Sequence, residues 1–357
     1  MKRLLLVLTS CLLLTACTKQ QILDRSTLFL VSALDNAPNG QLEVTLGLTK
    51  FKAGDPGSVS DEFFSKVGHT SSGITDLMNM QLVRPINPGK LSVVLFGKDK
   101  AAHGLSQELD VILRNAQYSR RMYLAVVDGE AKKLLEGNFS SGEEKGLFLY
   151  NLFDTNTRKG LIPSRNLHQF EYSLVGKGID PFLPLLKMQN GKVAITGMAL
   201  FKDDRYVVTI NEKQARIMKL LMNQTKRGIF EAKLGEGSYV SIDNTGSKVN
   251  YRIYKNSRYP SVMINLVIEG KVRDSREVTY PNQELRRIEE SIKKDIRTSG
   301  LELINLLKEK EIDPLGLGDF VRSKTRNWSE EAWKEMYPSL NVRLLVTVHL
   351  TETGVKK

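Results

Sequence analysis

Hydrophobic and polar positions change period several times along this chain, and each change marks an element. Leu42, Val44, Leu46 and Leu48 alternate with Glu43, Thr45 and Gly47, the period of two expected of a half-buried strand. Residues 28–34 read as a strand before it. Residues 52–60, rich in Gly, Ser and Asp, read as a loop. A helix is predicted over 74–82, ended by Pro85 and Pro88. Types then alternate: strand 91–96, helix 100–114, strand 122–127, helix 130–135. Strand-helix-strand-helix at this spacing implies parallel strands in an α/β layer. Helical patterns around 143–153 and 165–174 complete this half.

Both periods fail at Gly176-Lys177-Gly178-Ile179-Asp180-Pro181, with Pro184 close behind. Glycine and proline at this density suit a connection, so an N-terminal α/β domain is expected over 18–185 and a second domain over 190–357. In the second, strands 193–201 and 206–210 join across Lys202-Asp203-Asp204-Arg205. Asn211 then caps a helix over 212–223, with Gln214 folding back on it. A meander follows: strand 239–243, a turn at Asn244-Thr245-Gly246, and strands 249–254 and 261–268. A long helix over 283–310, capped by Asn282 after Pro281, buries Leu285, Ile288, Ile292, Ile296, Leu303 and Leu307 as one stripe. Glu289-Lys293 and Glu290-Lys294 pair on its wet side, and Gly300 is a candidate bend. A second helix starts at Ser329, carries Glu330 and Glu331 in its first turn and stops at Pro338. Val342, Leu344, Val346, Val348 and Leu350 form a closing strand. The expected class is α+β and multi-domain: an N-terminal α/β region, then an antiparallel sheet packed against long helices.

The N-terminus has a pattern of its own. Lys2 and Arg3 precede residues 4–14, apolar except for Thr9 and Ser10. That run is far shorter than the ~20 residues a bilayer span needs, but it suits the core of a secretory leader. Leu14-Thr15-Ala16-Cys17 follows, an order that resembles the lipobox of bacterial lipoproteins. The resemblance implies cleavage between Ala16 and Cys17, leaving residues 1–16 as signal peptide, and a diacylglyceryl group on Cys17. Acyl chains contribute ~0.8 kcal/mol per buried CH2, enough to hold a protein at a membrane without a spanning helix. The other reading is an ordinary secretory signal with an incidental cysteine. Either way the mature chain is exported.

Composition fits that address. The two cysteines are Cys11 and Cys17, so the mature chain has no thiol pair for a disulfide or a metal site. Net charge is +12, or +10 once Lys2 and Arg3 leave with the leader. The basic residues are scattered and the protein is exported, which argues against nucleic acid and for attraction to anionic lipid.

Catalytic signals are sparse. His69, His103, His168 and His349 lie far apart in sequence and in no metal-ligand spacing. No Gly-x-Ser-x-Gly elbow, Ser-x-x-Lys pair or phosphate-binding glycine loop occurs. Gly235-Glu236-Gly237 reads as a turn, Asp203-Asp204 as a hairpin tip, and Met218 and Met222 as helix core. No catalytic residue, metal or cofactor is therefore expected. What stands out is Asp313-Pro314-Leu315-Gly316-Leu317-Gly318 after the long helix, with Trp328 and Trp333 close behind. Trp333 suits the core under a sheet; it also suits a protein-contact patch, since Trp anchors dominate hot spots. Asp313, Pro314, Gly316 and Trp333, together with Arg286 and Arg287 off the apolar stripe, are the candidate partner contacts.

The order of these features resembles the Ger(x)C family, the lipoprotein C subunit of nutrient germinant receptors in spore-forming bacteria. The likeness is carried by Pro184, by Thr196-Gly197-Met198-Ala199-Leu200-Phe201-Lys202, by residues 313–318 after the long charged helix, by Trp333 and Pro338 before the last strand, and by an end near Thr353-Gly354. Members commonly have Gly-Cys followed by Trp-Asp; here Ala16-Cys17 is followed by Thr18-Lys19. The resemblance implies a non-enzymatic receptor component on the outer face of the inner spore membrane. Its partners would be integral-membrane A-type and B-type subunits, and it would help trigger germination in response to nutrients. The alternative is a lipid-anchored solute-binding protein or envelope enzyme. A solute-binding protein usually has two similar lobes, and here the halves differ.

Overall fold

In a computed structural model of the chain, the described residues are 27–51, 59–139, 142–222, 224–235, 238–254, 261–274 and 282–351. The predicted leader with Ala16 and Cys17, the loop at 52–58, Glu236-Gly237, Pro281 and Thr353-Gly354 lie outside them.

The alternation at Leu42, Val44, Leu46 and Leu48 belongs to Gln41–Phe51 (β2), which pairs antiparallel with Thr27–Ala37 (β1) and with Val59–Gly68 (β3). β3 was not foreseen; its sequence is largely polar, as an edge strand with few buried positions allows. Ser71–Asn79 (α1) follows, capped by Thr70, and the short Ile86–Asn87 (β4) lies beside β1. The predicted alternation of types is observed as Val93–Gly97 (β5), Lys98–His103 (α2), Ser106–Arg114 (α3), Tyr123–Val127 (β6) and Ala131–Glu136 (α4). The single helix expected over 100–114 is two, because Gly104 takes φ +110° between α2 and α3. Asp204 accepts the N–H groups of Leu105 and Ser106 there, at 3.1 and 2.9 Å. Lys145–Arg158 (α5) and Leu167–Val175 (α6) come next, then Phe182–Gln189 (β7), Lys192–Lys202 (β8) and Arg205–Asn211 (β9).

These strands form one sheet in the order β3-β2-β1-β5-β6-β7-β8-β9, parallel from β1 to β7 and antiparallel at both ends. Helices cover both faces. α1, α2, α3 and α6 place Ile74, Ala101, Leu109 and Phe170 against Leu34, Val94 and Phe96. α4 and α5 place Leu134, Leu149 and Phe153 against Ala33, Leu95 and Ala125. A parallel sheet covered twice needs apolar side chains at consecutive positions, and every residue of β5 is buried.

The boundary expected between 185 and 190 falls inside the β7–β8 hairpin, which closes at Gln189 and Lys192. By sheet membership the first region therefore runs to Asn211. β7 to β9 serve two cores: Leu183, Leu185, Ala199 and Phe201 face the first, while Phe182, Met198, Leu200 and Ile210 face the second. A break in periodicity marks a turn, and cannot say whether the next strand joins the old sheet or a new one.

Beyond it, Glu212–Met222 (α7) starts at the foreseen cap, with Asn211 and Gln214 exchanging hydrogen bonds of 2.9 and 3.0 Å. The second sheet contains Ile229–Gly235 (β10), Ser238–Tyr254 (β11), Ser261–Asp274 (β12) and Asn341–Thr351 (β13), in that order. The turn expected at Asn244-Thr245-Gly246 is a register shift within β11. The sheet is mixed and not purely antiparallel: β13 runs parallel to β12. The chain between them, Asn282–Glu309 (α8), Leu317–Lys324 (α9) and Glu330–Met336 (α10), is a helical crossover of the kind parallel strands need. α9, which begins inside the glycine-rich stretch 313–318, is not predicted from the sequence.

Val262, Ile264, Leu266 and Ile268 face the helices with Leu344, Val346 and Val348. The opposite face is open, with Lys248, Arg252, Tyr254, Val267, Arg343 and Leu345 exposed on it. Gly300 is buried in α8, and a Cβ there would meet Leu344 Cδ2 at 2.5 Å, so glycine lets the helix approach the sheet closely. The architecture is α+β.

Candidate functional site

The two stretches that broke the sequence pattern, 176–181 and 313–318, meet in space. Asp180 N donates to Asp313 O at 3.0 Å, and Asp313 N donates to Asp180 Oδ2 at 2.6 Å. Asp319 N donates to Gly178 O at 2.8 Å. The backbones approach so closely that only glycine fits. Gly178 has φ +72°, and a Cβ on it would lie 2.6 Å from Gly318 C and 2.7 Å from Asp319 N. A Cβ on Gly318 would lie 2.6 Å from Trp333 Cε2. Gly316, at φ +70°, leads into α9, whose first N–H groups are received by the Asp313 carboxylate: Leu317 at 3.0 Å and Gly318 at 2.7 Å.

Rings close the junction. Trp333 and Tyr337 pack with rings tilted at 45° and centroids 5.6 Å apart, and Tyr337 Oη donates to Ile312 O at 2.8 Å. Around the rim, Lys202 pairs with Glu311 at 2.8 Å and Tyr172 Oη donates to Asp319 Oδ2 at 3.2 Å. A small cleft of about 80 Å³ remains, lined by Asp180, Lys202, Asp203, Asp313, Lys334 and Tyr337 among others.

Burial governs the electrostatics here. It pushes the Asp313 carboxyl up to about 7, against the opposing pull of the Gly318 and Leu317 N–H groups, with Asp180 adding to the rise. Asp180 is raised for the same first reason. The Tyr251 and Tyr337 hydroxyls are driven upward by burial and then by Asp313. A carboxyl tied to backbone N–H groups inside a protein holds two pieces of chain together.

This placement corrects the reading of residues 313–318 as a surface. Asp313 and Trp333 are each 3% exposed, and Pro314 and Gly316 are buried as well. Glycine and proline reported an unusual backbone with close approach, a need that arises inside a protein as readily as on it. Arg286 and Arg287 are exposed on α8 as expected. Sequence reasoning missed Asp180 as the partner of Asp313. The available signal was an acidic residue inside the other glycine-rich break.

The four histidines do not gather: His103 bonds Asn36 and Asp99, His69 contacts Gln41, and His168 and His349 are exposed. Among the described residues no three His, Cys, Asp or Glu side chains are grouped to hold a metal ion. No helix among them is long and apolar enough to cross a membrane.

Known proteins match this chain over nearly its whole length. Residues 19–188 match the family described as "Spore germination protein N-terminal domain", and residues 196–354 match "Spore germination B3/ GerAC like, C-terminal". The two matches part within the β7–β8 hairpin. The chain is 28% identical over 360 residues to "Spore germination protein GerQC" of Bacillus cereus, covering 99% of both chains. It is 24% identical to "Putative spore germination protein YfkR" of Bacillus subtilis, covering 98% of this chain and 96% of the relative. The crystal structure of the GerBC protein has the same fold, with a TM-score of 0.61 at 17% identity over 89% of this chain and 96% of that one. With both domains matched in order across most of its length, this chain belongs to the GerC family of spore germination proteins.

Proposed function

We propose that this protein is the lipid-anchored C subunit of a nutrient-responsive germinant receptor, held at the inner spore membrane through Cys17 and acting by contact, not catalysis. The observation that carries this reading is the ordered match to both germination domains, which begins at residue 19, immediately after the lipobox-like Leu14-Thr15-Ala16-Cys17. The leader run supports export, and acylation of Cys17 supports retention at the outer face without a spanning helix. The partners in this reading are the integral-membrane A-type and B-type subunits. A short tether raises the effective concentration beside them to about the mM range, so a weak docking face stays occupied.

Burial of Asp313, Pro314, Gly316 and Trp333 leaves the exposed side of α8, with Arg286 and Arg287, as the contact surface from the original set. Substituting Cys17→Ala tests the anchor. The expected outcome is release of the protein from the spore membrane fraction and a slower nutrient response. Retention that persists in high salt contradicts the anchor, and retention lost only in high salt points to the basic surface instead.

A further inference from the structure

The first region contains a cleft that the contact mechanism leaves unused. It lies between α1 and α3, over the face of the sheet formed by β1, β2 and β5, and has a volume of about 240 Å³. Its walls are largely apolar: Phe29, Leu46, Met78 and Ile112 are buried along it.

Two polar groups interrupt those walls. Ser32 is 5% exposed and sits in the middle of the floor, paired in register with Leu46 on one side and Val94 on the other. No hydrogen bond among the described residues involves its hydroxyl. A hydroxyl that bonds no described protein group and borders an apolar cleft is available to a polar group bound there. Glu108, 6% exposed, lies on the α3 wall. Its Oε2 forms an ion pair with Lys100 Nζ at 2.8 Å that lacks hydrogen-bond geometry, while Nζ donates its hydrogen bond to Gly104 O. Among the described residues Lys100 is the one partner of Glu108. A carboxylate has about four acceptor sites, so capacity is left over. At the mouth stand Thr75, the exposed Asp76 and the half-buried Tyr118, whose hydroxyl is also without a bond among the described residues. The lining has two carboxylates and no Lys, Arg or His.

We propose that this cleft binds a small molecule with a compact apolar body and an ammonium or hydroxyl donor. The donor meets Glu108 and Ser32, and the body lies on the apolar floor. The volume falls just below the ~300–1,000 Å³ of drug-sized sites and suits a metabolite. Asp76 at the mouth and the Glu108 oxygen not paired with Lys100 disfavour carboxylates and phosphates, with Lys100 offsetting part of the Glu108 charge. This site stands independently of the receptor reading, because binding is measured on the isolated protein.

Benzylamine, benzyl alcohol and benzoate share one apolar body and differ only in the head group. Titrated into the purified full-length protein and followed by ligand-observed NMR, benzylamine and benzyl alcohol are expected to bind. Benzoate should bind at least about tenfold more weakly, the ratio one charge-assisted hydrogen bond supplies. Ser32→Ala should weaken benzyl alcohol about fivefold. Thr75→Trp, which plugs the mouth from a half-exposed position, should abolish binding while the fold persists. Ser72→Trp, exposed at the same mouth, serves if that variant does not fold. Benzoate binding as tightly as benzylamine, undiminished binding to a folded plugged variant, or binding of none of the three would each overturn the proposal.

Discussion

The two sheets solve the problem of burial in opposite ways. The first has helices on both faces, and its central strands are apolar at consecutive positions. The second has helices on one face and presents Arg252, Arg343 and Leu345 to solvent on the other. Substitutions at the centre of the first sheet should therefore be felt twice over, while half the positions of the second sheet are free to change. The junction of Gly178 with Gly318 joins these unlike halves through backbone contact, so its tolerance should be low although it belongs to neither sheet.

The sharpest contrast comes from one substitution on each sheet. Leu95 is fully buried at the middle of β5, and Leu95→Ala should destabilise by about 2–5 kcal/mol, the range for truncating a core leucine. Leu345, 52% exposed on the open face, should tolerate the same change within about 0.5 kcal/mol. Urea unfolding of the two variants measures both, and equal losses would remove the distinction.

Next comes the junction. Gly178→Val combines a positive φ with a clash against Gly318 and should cost about 3 kcal/mol. Calorimetry should show the loss as one transition at a lower temperature, because β7 to β9 contribute to both cores. Gly191 has the same φ of +72° but open space around it, so Gly191→Ala should cost only about 1–2 kcal/mol. A loss in Gly178→Val no larger than in Gly191→Ala would show that the close approach to Gly318 is not what makes the junction intolerant.

The next effect concerns pH. The folded state holds the Asp313 proton up to about 7, against an ordinary 3.8 for an unfolded chain. The folded protein thus binds the extra proton between these values. The associated stability is complete below about pH 4, declines as pH rises and is gone above about pH 7. Asp313→Asn, neutral at every pH, should flatten this slope. A slope unchanged in the variant would assign it to other groups. Smallest in stability is the pair Arg286→Glu and Arg287→Glu, both off the buried stripe of α8. It should leave the melting temperature within about 2 °C while impairing germination. A normally abundant variant with wild-type germination would remove this face from the interface.

Much of this architecture was legible in the chain. The stripe of α8 and the alternation in β2 and β13 each repeat over several turns or residue pairs, and burial on one side writes that period directly, while the Asn211 cap is a local pairing with Gln214 three residues on. Short or polar elements were not legible. β3 has little apolar alternation, and Gly316 before α9 with Gly318 in its first turn obscures that helix's start. Whether β7 to β9 extend the first sheet depends on long-range pairing, which local period does not encode. The placing of residues 313–318 was not legible for a related reason: they announce an unusual backbone, and burial of Asp313 against Asp180 depends on a loop more than a hundred positions away.

Recovery of the tagged protein from spore membranes tests the central claim most directly. If it is a contact subunit of a receptor, two integral-membrane proteins should co-purify with it after mild cross-linking, and the Arg286→Glu, Arg287→Glu variant should recover less of both at equal abundance. Recovery of the wild-type chain alone, from membranes that still germinate in response to nutrients, would contradict it.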